Sequence, residues 1–169
     1  MQQINANQIR ELAADIAMEL ERLSRLEEQI QHVTVEIQHD LTRADIFYES
    51  LALKLHNFYT GCERIFRLVA MELNGGMPSG QDLHRRLLDR MSSERDGRPV
   101  VIRSETARRL QDYLGFRQVV RNVYGFELDP ERVARLVEMY PSAWCQVEQE
   151  ISAFVQWLGE IAHSLNASE

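Results

Sequence analysis

The chain has 169 residues, 44% of them hydrophobic, and a formal net charge of −7. That length and apolar content suit one folded domain of ordinary size and argue against a disordered tail. Two cysteines without CxxC spacing argue against a disulfide scaffold or a zinc site, and Cys62 and Cys145 are expected as buried free thiols.

Met1 to Asn7 is polar, without a basic start or an apolar core, and no run approaches the roughly 18 apolar residues of a membrane span. A cytoplasmic protein is the expectation. Residues 4–41 contain no Gly or Pro and place apolar residues at Ile9, Leu12, Ile16, Leu20, Leu23, Leu26, Ile30, Val33, Ile37 and Leu41. Steps of three and four make this the buried stripe of one long bundle helix, with a slip around Glu19. A second helix is expected over residues 45–73, its inward face including Ile46, Leu51, Leu55, Phe58, Cys62, Ile65, Phe66 and Val69. Gly61 inside it costs about 1 kcal/mol relative to Ala, which a close helix crossing would offset.

The Gly- and Pro-rich run at residues 74–80 reads as a loop. A short helix over residues 81–92 turns Leu83, Leu87, Leu88 and Met91 inward, and a polar loop follows at 93–99. Ser104 is expected to cap a fourth helix that reaches Tyr124 and ends on Gly125. Asp129-Pro130-Glu131 is a strong start for a fifth, with a break at Tyr140-Pro141 and resumption from 142 to 165. The fold class is therefore all-α, an antiparallel bundle of five to six helices in a single domain.

Charge is unevenly spread. Residues 85–121 hold ten arginines and five acids, a net +5, and the remainder of the chain carries −12. Arginine offers a planar fork suited to phosphate or carboxylate. Within this stretch Arg117, Arg121 and Tyr124 are spaced by four and three, which on a helix aligns two guanidiniums and a phenol. Such a stripe could grip a phosphate, or its arginines could simply pair with acids of neighbouring helices. No P-loop, GxSxG, HExxH or EF-hand pattern is present. Asn166-Ala-Ser168 fits a glycosylation pattern that a cytosolic protein would not use.

The run Arg117-x4-Asn122-x-Tyr124 resembles the Arg-x4-His-x-Tyr motif of the HepT-like branch of the HEPN family. Upstream, Leu55-His-Asn-Phe-Tyr59 with Cys62-Glu-Arg-Ile-Phe66, and then Leu83-His84 with Leu87-Leu88, resemble the helices that accompany it. The likeness covers residues 45–137. It implies a HEPN-like helical bundle and a dimeric toxin that cleaves RNA, possibly tRNA, without a metal or cofactor. It implies as partner an antitoxin of the MNT nucleotidyltransferase group, able to modify the motif tyrosine. Carried onto this chain, Arg117 is the catalytic arginine and Tyr124 the modifiable tyrosine, and the RNA-binding candidates are Arg117, Arg121, Arg85 and Arg86.

The chain departs from the family at Asn122, which stands where the motif has histidine. RNA cleavage without a metal needs a base for the 2′-hydroxyl, an acid for the leaving oxygen and cations for the phosphorane charge. Arg117 and Arg121 can supply the cations, but Asn122 cannot carry a proton near neutral pH. His84 and His56 are the candidates to replace it. A HEPN scaffold without catalysis, binding RNA, nucleotide or protein, is the alternative. A helical interaction module unrelated to HEPN is the third.

Overall fold

The computed structural model describes residues 5–95 and 97–167, and of Phe126 the backbone only. Ile4, where the sequence starts the first helix, Asp96 of the second loop and Ser168 of the Asn-Ala-Ser pattern lie outside the described residues. Five helices make up the described fold: α1 (Ala6–His39), α2 (Ala44–Leu73), α3 (Leu83–Met91), α4 (Ser104–Val120) and α5 (Pro130–Asn166). Short 3-10 turns at Leu41–Arg43 and Gly125–Glu127 join α1 to α2 and α4 to α5. No strand is present among the described residues, only an isolated bridge between Arg95 and Arg98. The expected all-α bundle is what the chain forms.

Each start has a local cause. Asn5 caps α1 by accepting from the Gln8 amide at 3.0 Å, and the Gln8 side chain returns the bond to the Asn5 amide at 3.0 Å. The buried stripe then runs through Ile9, Leu12, Ile16, Glu19, Leu23 and Ile30. Glu19 is therefore inside rather than at a slip in the seam, and it is held there by Arg22 at 2.9 Å and Arg64 at 3.3 Å. The α1–α2 crossing is tight at Gly61, where a Cβ would lie 2.5 Å from Leu23 Cδ2. The expected close crossing is thus present. Contacts of Leu23 with Gly61 and of Glu19 with Arg64 run in opposite chain directions, so the two helices are antiparallel.

α2 ends at the glycine loop, where the amides of Asn74 and Gly76 both donate to the Ala70 carbonyl, at 3.2 and 2.9 Å. Gly75 and Gly76 take positive φ there, at 68° and 120°. The second loop is clamped by Arg98, whose buried guanidinium donates to Asn74 Oδ1 and to the carbonyls of Arg90, Ser93 and Pro99. Between loop and α4, Val101 and Ile102 are buried without forming a strand.

Several sequence expectations need correction. Ser104 is the first residue of α4, not its cap. The start of α4 is satisfied instead from α5, where Glu150 accepts from the Arg103 amide at 2.8 Å and the Thr106 hydroxyl at 2.9 Å. α5 does not break at Pro141 but continues through it. Tyr140, Ala143 and Trp144 are buried on either side, and that packing offsets the roughly 3 kcal/mol of an interior proline. Ile46 and Leu41 are exposed, and Cys145 is exposed whereas Cys62 is buried. The core centres on Phe58 of α2, whose ring meets Tyr113 of α4 at 5.2 Å and Tyr140 of α5 at 5.0 Å, both edge to face. No helix among the described residues is long and apolar enough to cross a membrane.

Candidate functional site

The largest correction concerns the motif itself. α4 ends at Val120, so Arg117, Arg121 and Tyr124 do not share a helical stripe. Arg121 is the C-cap, the Asn122 amide closes a tight turn onto Val119 at 2.9 Å, and Tyr124 is extended. The Val119-Val120 pair is β-branched and adds little to helix persistence. The Asn122 side chain completes the stop by donating to the Gln118 carbonyl at 2.7 Å, which satisfies one of the helix's last acceptors. Gly125 is not a left-handed cap. It opens the following 3-10 turn and packs on α2, where a Cβ would lie 3.0 Å from the Glu49 carboxyl.

Arg117 faces inward. Its side chain is only 7% exposed, and Nη1 lies 3.0 Å from Oε2 of Glu63, which is equally buried. The same Oε2 lies 2.7 Å from His84 Nδ1. Arg117 Nη2 is 3.4 Å from that Nδ1. A nitrogen cannot donate to the carboxylate and also accept from the guanidinium. The much shorter contact decides, so Nδ1 carries its hydrogen toward Glu63 and Nε2 is the nitrogen outside this contact. The Arg117 guanidinium also lies over the buried Tyr59 ring, 5.4 Å from its centroid. Burial, with Glu63 nearby, pushes the Tyr59 phenol far above its usual range, so it stays neutral.

Three helices thus meet on one carboxylate: Glu63 from α2, His84 from α3 and Arg117 from α4. A buried carboxylate that fixes an imidazole through Nδ1 is the orienting half of many proton-transfer sites. His84 is 33% exposed, so it alone of the three reaches solvent. His56 is half-buried on α2, with Nδ1 sealed and without a hydrogen-bond partner. Burial first, then Arg117 and Arg121, lowers its pKa below the ordinary 6.5.

The structure therefore brings Arg117 and His84 together. It leaves Arg121, Asn122 and Tyr124 on the exposed turn beyond α4, with Tyr124 72% exposed. Arg85 and Arg86 are exposed on α3 beside His84, and Arg86 donates to the Ser79 carbonyl. The basic stretch is less of a surface than its count suggests, because Arg98 and Arg117 are buried. Sequence reasoning missed Glu63 as the centre of the cluster. The signal was available, since Glu63 falls four residues after Tyr59 on the inward side of α2, where an acid must find a buried cation.

An all-α bundle that encloses a carboxylate–arginine–histidine cluster between three helices is the class these features define. A family model described as HepT-like protein matches residues 50–158. The chain belongs to this HepT-like branch of the HEPN family. The matched stretch begins within α2 and covers most of α5. No curated protein and no solved structure matches the chain.

Proposed function

We propose that this protein is a HepT-like toxin, a metal-independent endoribonuclease that acts as a homodimer in the cytoplasm and is neutralised by an MNT-type nucleotidyltransferase. The observation that carries the reading is the convergence of His84 Nδ1 and Arg117 Nη1 on Glu63 Oε2, at 2.7 and 3.0 Å. In this reading His84 is the proton carrier, oriented by Glu63, with Nε2 turned to the substrate. Arg117 is a positioning residue that balances the buried carboxylate. Arg121, with Arg85 and Arg86 on α3, meets the RNA phosphates. Tyr124, exposed on the turn, is the site the antitoxin modifies.

The test is incubation of purified protein with a small-RNA pool in EDTA. Cleavage that falls by about 10²-fold or more in His84→Asn supports the reading. Absence of cleavage by the folded wild type, unmodified at Tyr124, would favour a HEPN scaffold that binds without cutting. One observation favours that second reading: the amide of Asn122, at the family's histidine position, is committed to its own helix at 2.7 Å.

A further inference from the structure

Glu49, His56 and Glu63 recur every seven residues along α2, a spacing that keeps them on one face of a helix. Contacts at the two ends of that face are known. Glu63 meets Arg117, and Glu49 lies against Gly125, on the 3-10 turn beyond α4. As residue numbers rise on one segment they fall on the other, so α2 and the α4 end are antiparallel. His56 sits midway, about 10 Å along α2 from either contact. It therefore lies beside the stretch between 117 and 125, which contains Arg121 and Asn122.

Two further observations agree with this placement. Arg117 and Arg121 are the charges that bear on the His56 ring. Its Nδ1 is sealed without a partner, so Nε2 is the ring nitrogen left for a substrate. Arg117 and Arg121 act on the ring through space, Glu49 and Glu63 share its helix face, and α3 brings His84 beyond Glu63. Burial and the two arginines favour the neutral ring, and with its hydrogen on Nδ1 that ring can accept a proton at Nε2.

We propose that His56 is the imidazole that takes the 2′-hydroxyl proton of the RNA, supplied from α2 to the place where Asn122 offers none. This rests on the endoribonuclease reading above. His56 Nε2 takes the proton, and the 2′-oxygen forms a bond to phosphorus as the bond to the 5′-oxygen breaks. That oxygen leaves with a proton from Nε2 of doubly protonated His84, whose Nδ1 hydrogen stays on Glu63. The products are a 2′,3′-cyclic phosphate and a 5′-hydroxyl end, and the two imidazoles then exchange their protons with water. Arg121 stands beside the phosphorus to meet the charge that develops there.

The experiment compares single-turnover cleavage of an end-labelled RNA oligonucleotide in EDTA by wild type, His56→Asn, His84→Asn and the double variant His56→Asn/Asn122→His, each checked for an unchanged melting curve. His56→Asn should be slower by about 10²–10⁴-fold, with cyclic phosphate ends in the wild-type product. Asn122→His in that background should recover about tenfold or more of that loss. Cleavage by His56→Asn at the wild-type rate, alongside a dead His84→Asn, would overturn the role of His56 and leave the nuclease reading standing. A silent wild type would overturn both.

Discussion

At the scale of single residues, the Glu63–Arg117 pair is the feature whose removal has the clearest consequence. Glu63→Ala strands a guanidinium whose side chain is 7% exposed. Breaking one side of a buried pair costs about 3–5 kcal/mol, whereas replacing both partners by apolar groups is close to neutral. Urea unfolding should therefore show a large loss for Glu63→Ala, most of it recovered in Glu63→Leu/Arg117→Met. Equal losses in the single and double variants would deny that the pair is coupled. His56 gives a second prediction, in pH. Its pKa in the fold lies below the ordinary value of about 6.5, so below that value the unfolded chain binds more protons than the folded one. The stability from keeping His56 neutral is fully present above about pH 6.5 and is lost as pH falls through the folded pKa. His56→Asn should flatten the urea midpoint on that acid side, and a wild-type and variant that decline in parallel would contradict it.

Helices carry most of what the sequence made legible. The i, i+3, i+4 pattern of α1 and α2 located both to within a few residues, because burial along a bundle helix repeats with the turn. What failed depends on contacts from elsewhere in the chain. Pro141 reads locally as a break, yet Tyr140 and Trp144 are buried beside it and hold α5 together. Ser104 reads as a cap, yet Glu150 from α5 performs that role. The spacing of Arg117, Arg121 and Tyr124 suggested one stripe, but spacing carries no information on where α4 stops. His84 and Arg117 were legible as separate candidates. Their meeting was not, because Glu63, which joins them, lies 21 residues from one and far from the other in sequence. The Gly61 crossing is a testable part of this packing. Gly61→Ala places a Cβ against buried Leu23 and should cost about 1–3 kcal/mol by overpacking, despite the better helix propensity of alanine. A rise in melting temperature would show that the crossing has slack.

For the whole molecule, the exposed cations of a single chain near the cluster are Arg85 and Arg86 beside His84 and Arg121 beyond α4. Met18 and Val35 on α1 and Ile46, Leu53 and Met71 on α2 are exposed apolar residues outside the core, and the homodimer proposed above would cover apolar surface of this kind. Light scattering at micromolar concentration should give twice the 19.7 kDa chain mass, and the mass of a single chain would count against the dimer. In the function proposed above, Glu63 and His84 act as one unit in RNA cleavage. The most direct measurement of this is a double-mutant cycle on the cleavage rate in EDTA, using Glu63→Gln, His84→Asn and both together. Strong non-additivity is expected, with the double variant no slower than His84→Asn alone. Rate losses that simply multiply, or a wild type that leaves RNA intact, would contradict it.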